Sequence, residues 1–196
     1  MKPILFNTDM VRAILEGRKT VTRRVVKFKP GQNPQWTGCI PDGPVLYGSN
    51  NIPASKSPYH PGDILYVRET WARSMAGTYL YKATDTPIIL DRWHPSIHMS
   101  KEAARLFLRV TDVRVERLQD MRLIDCLKEG VQFTIAEQGD LVIQGIRARE
   151  RFSGVWDSTI KPADLPIYGW ETNPWVWVIE FERISKEAAL KGGEGL

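Results

Sequence analysis

The chain of 196 residues is 42% hydrophobic and 26% charged, with a formal net charge of +4; these are the proportions of a globular protein long enough to bury a core without metals or disulfides. No run approaches eighteen apolar residues, which excludes a membrane-spanning helix, and the apolar part of Met1-Lys2-Pro3-Ile4-Leu5-Phe6 is too short for a secretory signal. Two distant cysteines, Cys39 and Cys126, do not make a disulfide scaffold, so a cytoplasmic protein with free thiols is expected.

The first predicted element is a helix. Asn7 or Thr8 caps it, Met10, Val11, Ile14 and Leu15 recur on one face, and Gly17 stands where a helix end takes a left-handed residue. Arg18 and Lys19 follow, at the end of the helix dipole that favours cations. Thr20 to Phe28 is rich in β-branched residues and reads as a strand, with Thr20, Thr22 and Arg24 on one face. Between Glu16 and Asp42 there is no acidic residue, while Arg18, Lys19, Arg23, Arg24, Lys27 and Lys29 crowd together. Such a run is either a phosphate-attracting cluster or a solvated face.

Residues 30 to 62 are crowded with Pro, Gly, Asn and Ser around one apolar island, Val45-Leu46-Tyr47, and read as a long surface excursion. Pro61-Gly62-Asp63 turns into a strand at Ile64-Leu65-Tyr66-Val67, and Thr78 to Tyr81 suggests another. Residues 84 to 99 form a second loop, and Ser100 to Arg105 a single helical turn. Leu106 to Val115 is the longest strand signal. Asp120 to Glu129 suits a short helix with Leu123, Ile124 and Leu127 inward and Gly130 ending it. Residues 132 to 146 suggest a hairpin, and Phe152, Val155, Trp156 and Thr159 recur at helical spacing. Trp175 to Glu182 is the closing strand, and the polar, Gly-rich tail after Ser185 is expected to fray.

Several chemistries are absent. Gly17-Arg18-Lys19-Thr20 ends like a phosphate-binding loop but lacks the upstream glycines and follows a helix. No serine stands between the glycines of a nucleophile elbow. His94 and His98 are spaced like metal ligands, yet Pro95 lies between them and no paired-cysteine motif accompanies them. No metal site and no cofactor are expected.

The run Gly17-Arg18-Lys19-Thr20-Val21-Thr22-Arg23-Arg24 resembles the signature of the ASCH family, a branch of the PUA-like barrels, whose pattern is Gly-x-Lys-x-x-Glu-x-Arg. Gly17, Lys19 and Arg24 match, and Thr22 stands where Glu is usual. Pro61 to Leu65, the strand 106 to 115, Glu129-Gly130 and the closing strand resemble the family too. The resemblance implies an α+β fold: a PUA-like mixed β-barrel with flanking short helices, as one domain over 1–185. Long loop insertions fall at about 30–60, 84–99 and 132–170, with a flexible tail at 186–196. Extended chains of this kind resemble ASCH proteins of bacteria and their prophages.

The resemblance also implies a cleft beside the first helix that takes RNA or a modified nucleoside. One compact bacterial ASCH group removes acetyl from N4-acetylcytidine, and its motif carries Thr where Thr22 stands. On that pattern Lys19 is the proton acceptor, Thr22 the nucleophile and Glu129 the proton donor. A threonine hydroxyl needs such a base, and lysine serves only when neutral. Bringing its pKa from about 10.4 to about 7 takes about 4 kcal/mol of selective destabilisation of the ammonium. Neighbouring arginines and burial push that way, while a close Glu129 opposes it.

Arg18, Arg23 and Arg24 are candidate contacts to the nucleic acid, and the loop aromatics Trp36, Tyr47, Tyr59 and Trp93 are candidates for stacking on a base. Trp156, Trp175 and Trp177 sit at core spacing. Arg24 paired with Glu129 as a structural bridge is the competing reading of those two residues. Three functions follow: an RNA- or nucleoside-binding module, an N4-acetylcytidine-type amidohydrolase, and a phage-encoded regulator that docks on proteins.

Overall fold

The computed structural model describes residues 1–28, 34–40, 43–48, 53–87, 91–132 and 141–191. Five strands hydrogen-bond in the order β1 (Lys2–Leu5), β6 (Ile64–Arg68), β9 (Phe107–Arg117), β10 (Trp175–Ile184) and β2 (Val21–Val25). β1 runs parallel to β6, whereas β6–β9 and β10–β2 are antiparallel. The fold is mixed α+β, with short helices around a mixed sheet.

The expected barrel is not formed. Among the described residues β1 and β2 are the two edges of an open sheet and do not pair with each other. Helix α1 (Thr8–Leu15) separates them in sequence, so the chain leaves the sheet after β1 and re-enters it at the opposite edge.

Two compact units divide the chain, residues 1–19, 61–111 and 181–196 in the first, and 20–60 and 112–180 in the second. In the first unit, Asn7 accepts the Met10 N–H and caps α1, which buries Val11, Ala13 and Ile14. A second core gathers Ile64, Met99, Ala103, Ala104, Phe107 and Ala189. A hairpin of β7 (Trp71–Arg73) and β8 (Tyr79–Tyr81) lays Trp71, Tyr79 and Tyr81 against it. Ser100 to Arg105 is a turn closed by Ala104 N–H to Lys101 O, not a helical turn. The tail does not fray at once: α5 (Lys186–Lys191) forms and buries Ala189.

In the second unit, β3 (Pro34–Ile40), β4 (Gly43–Gly48) and β5 (Pro53–Lys56) form an antiparallel sheet where a surface excursion was expected. Val45 and Leu46 of the apolar island are its buried residues. α2 is Leu123–Lys128, and α3 (Leu141–Thr159) begins well before the expected helix. The hairpin expected over 132–146 therefore gives way to helix at 141–146, while 133–140 lie outside the described residues. Ala148, Phe152 and Trp156, one turn apart, bring α3 onto Val176 and Val178 of β10 and Val21 of β2. Val155 faces outward instead, and so does Ile124 of α2. α2 turns Asp125 and Cys126 inward, because a buried guanidinium on β2 needs carboxylates there. The last helix of this unit is α4 (Leu165–Tyr168).

Candidate functional site

The motif starts from the end of α1. Gly17 takes the left-handed φ of 75°, its N–H reaches Ile14 O, and the N–H groups of Arg18 and Lys19 both reach Ala13 O. This is a glycine-closed helix end. It fixes the backbone of Lys19, whose side chain is buried with its ammonium 5.7 Å from the Phe6 ring centre. Arg18 is half-exposed and pairs with Glu16 at 2.5 Å.

In the second unit the Thr20 N–H bonds Lys128 O at 2.9 Å, tying the start of β2 to the end of α2. β2 then alternates. Val21, Arg23 and Val25 share the face that carries the α2–α3 core, while Thr22 and Arg24 lie on the other, opposite Ile179 and Trp177 of β10. Thr22 is buried.

Arg23 is the centre of an ion-pair network. Its side chain has no solvent exposure. Nη2 donates to Glu116 Oε1 at 2.7 Å and Nη1 to Glu129 Oε1 at 3.1 Å, with Asp125 at 3.9 Å. Glu116 also faces Arg114, which bonds Glu180 at 2.5 Å. Within the basic run Arg23 is thus met by carboxylates from β9 and from α2 and its C-cap. The run is not a solvated face at Lys19 or Arg23. Glu129 has a structural role through Arg23.

Arg24 differs. Burial of its guanidinium pulls its pKa below the ordinary arginine value, although Tyr59 and Glu129 act in the opposite direction. Arg24, Tyr59 and Glu129 therefore share one electrostatic environment. Tyr59 is half-buried on the segment after β5, where its carbonyl takes the Ser57 hydroxyl at 2.7 Å.

Burial pushes the Asp125 carboxyl upward, but hydrogen bonds from the Arg122 backbone and side chain and the field of Arg23 outweigh it and hold the group below its usual range. Burial likewise pushes the neighbouring Cys126 thiol up to about 11. That is an inert structural cysteine.

The sequence candidates therefore divide. Thr22, Arg23, Arg24, Tyr59 and Glu129 belong to the second unit, and Lys19, Arg18 and Trp93 to the first. Trp93 is half-buried beside His94, which stacks on Trp71 with ring centres 5.0 Å apart. Trp36 lies opposite Tyr47 in β3–β4, and its side chain falls outside the described residues. Trp156 and Trp177 are core, as expected, while Trp175 is only half-buried. Sequence reasoning missed Glu116 and Asp125. The signal available was a buried arginine in a strand, which demands carboxylates from elsewhere.

Among the described residues no cluster of three His, Cys, Asp or Glu side chains is arranged to hold a metal ion. No described helix is long and apolar enough to cross a membrane. Comparison with family models, with curated proteins and with solved structures finds no match to this chain.

Proposed function

We propose that this chain is an ASCH-type, PUA-like protein that binds RNA or a modified nucleoside, with Thr22, Arg24, Tyr59 and Glu129 of the second unit reading the base. The observation that carries the reading is the burial of polar groups in and around the motif. Thr22 and Glu129 are buried, and the Arg24 guanidinium is desolvated beside Tyr59 and Glu129. A buried hydroxyl and carboxylate with a half-buried guanidinium and phenol offer donors and acceptors in fixed directions. Reading the edge of an unstacked base requires that arrangement. Rejection of the wrong base follows from it, because a mismatched ligand leaves buried polar groups unpaired.

A second reading, an amidohydrolase acting on an N4-acetylcytidine-type nucleoside, is favoured by one further observation. Lys19 and Thr22, the base and the nucleophile that the resemblance implies, are each only 2% exposed. On the pattern that the resemblance implies, Thr22 is the nucleophile that attacks the acetyl carbonyl and Lys19 is the base. The cytosine amine leaves with a proton, and water then releases acetate from the threonine ester.

Incubation of the purified protein with N4-acetylcytidine, followed by chromatography, separates the two. Binding without release of cytidine supports the binding protein. Release of cytidine and acetate that is lost in both Lys19→Ala and Thr22→Val supports the hydrolase. Neither binding nor turnover contradicts both.

A further inference from the structure

We propose that Arg117 and Arg149 form a phosphate-contact pair for a single RNA strand, held in place on the indole faces of Trp175 and Trp170. This rests on the RNA reading above and extends it from the base to the backbone. The Arg117 guanidinium lies 4.3 Å from the Trp175 ring centre, and that of Arg149 lies 5.3 Å from the Trp170 ring centre. Such stacking orients a guanidinium without consuming its in-plane N–H groups.

These two arginines differ from Arg23 of β2, Arg114 of β9 and Arg122 at the N-cap of α2. Arg23, Arg114 and Arg122 each face a carboxylate. Arg117 and Arg149 face none among the described residues. Each makes one side-chain hydrogen bond, and in both cases the acceptor is a backbone carbonyl: Asn173 O at 3.1 Å for Arg117 and Gln119 O at 2.5 Å for Arg149. Most of each guanidinium's fork of donors therefore stays unspent, and both side chains are half-exposed. Asp120 and Glu171 are exposed in the same turns and bond neither of them. Carboxylates neutralise Arg23 and Arg114, whereas none among the described residues pairs with Arg117 or Arg149.

The pair is also rigidly linked. The Gln119 N–H bonds Asn173 Oδ1 at 2.8 Å, and Gln119 Nε2 bonds Trp170 O at 2.8 Å. Asn173 takes the left-handed φ of 46°, a conformation that asparagine tolerates, and so turns its carbonyl to Arg117. Arg117, Asn173, Gln119 and Arg149 thus form one hydrogen-bonded chain with an indole under each end. The Trp175 indole N–H, beneath Arg117, is one of the buried side-chain groups with no acceptor among the described residues.

Position supplies the ligand. Trp175 O takes the Val26 N–H at 3.0 Å, which places Trp175 two residues along β10 from Trp177, the residue opposite Arg24. Two residues of strand keep the same face and span about 7 Å. A strand whose base sits at Thr22 and Arg24 carries its next phosphates towards Arg117. Positive groups along the backbone are what track a single strand without reading its sequence.

The test uses the full chain and a fluorescein-labelled single-stranded RNA of about twelve nucleotides, titrated at several salt concentrations. The variants are Arg117→Gln, Arg149→Gln and the double variant, with thermal melting as a check on folding. The double variant is expected to bind more weakly whatever the RNA sequence and to lower the log–log salt slope by about 1.4, from about 0.7 per phosphate on a single strand. Each single variant is expected to lower it by about 0.7, which decides the matter if the double variant does not fold. Arg→Lys replacements at both positions should restore most of the slope. An unchanged slope in folded variants overturns the pair and leaves the nucleoside reading standing. No RNA binding by the wild type at low salt overturns it too, and binding of free cytidine or N4-acetylcytidine then shows separately whether the nucleoside site survives.

Discussion

Arg23 carries a full charge with no exposed side-chain surface, and only Glu116, Glu129 and Asp125 make that tolerable. Removing one partner from a buried pair costs more than the pair contributes, because the remaining charge stays desolvated. Glu129→Ala is therefore expected to destabilise the protein by about 3 kcal/mol, the low end for such a break because Glu116 remains. Urea unfolding at pH 7 measures it, and a loss below about 0.5 kcal/mol would place Glu129 outside the network. Asp125 adds a pH signature. Its folded pKa is held below the unfolded value of about 3.9. The stability this contributes is complete above the unfolded value and is lost as pH falls through the folded one. Asp125→Asn should therefore be less stable than wild type at pH 6, with the gap closing below about pH 4. A gap that stays constant down to acid would mean that the carboxylate's charge plays no part.

The elements recovered from sequence are those with a local physical signature. α1 has a cap, an apolar face and a closing glycine, and β6, β9 and β10 have apolar runs long enough to recognise. β1 and β7, of four and three residues, are too short to show a period. β3 to β5 were hidden by Pro, Gly and Asn, which read as loop although the strands pair, with a register shift in each pairing. The motif was legible as a motif, but its partners were not. Glu116 and Glu129 lie 93 and 106 residues from Arg23, a separation that no local pattern reveals. Two glycines test the element level. A Cβ on Gly17 would meet nothing within 4 Å, so Gly17→Ala carries only the left-handed backbone penalty of about 1 kcal/mol. A Cβ on Gly169 would fall 2.7 Å from Leu165 O, a backbone atom that cannot swing away. Gly169→Ala should therefore cost about 1–3 kcal/mol and disturb the Trp170 platform that follows it. Thermal melting of both variants checks the order, and an equal or smaller loss at Gly169 would contradict it.

At the scale of the whole molecule, linear charge misleads. The basic run from Arg18 to Lys29 suggested one positive cleft, yet Arg18 and Arg23 are paired with carboxylates. The cationic groups proposed to meet the ligand are Arg24, in one electrostatic environment with Tyr59 and Glu129, and the stacked Arg117 and Arg149. In the proposed function, recognition rests on directional polar groups for the base, with a smaller salt-dependent share for the backbone. Base recognition by Arg24 is the central claim of the proposed function. Calorimetric titration of cytidine and N4-acetylcytidine into wild type and Arg24→Gln, at fixed moderate salt, tests it directly. A hydrogen bond from a charged group is worth about 1.5–3 kcal/mol, so Arg24→Gln should weaken nucleoside binding at least about tenfold while the protein stays folded. Equal affinity of the two proteins, or no heat from either nucleoside with wild type, would contradict it.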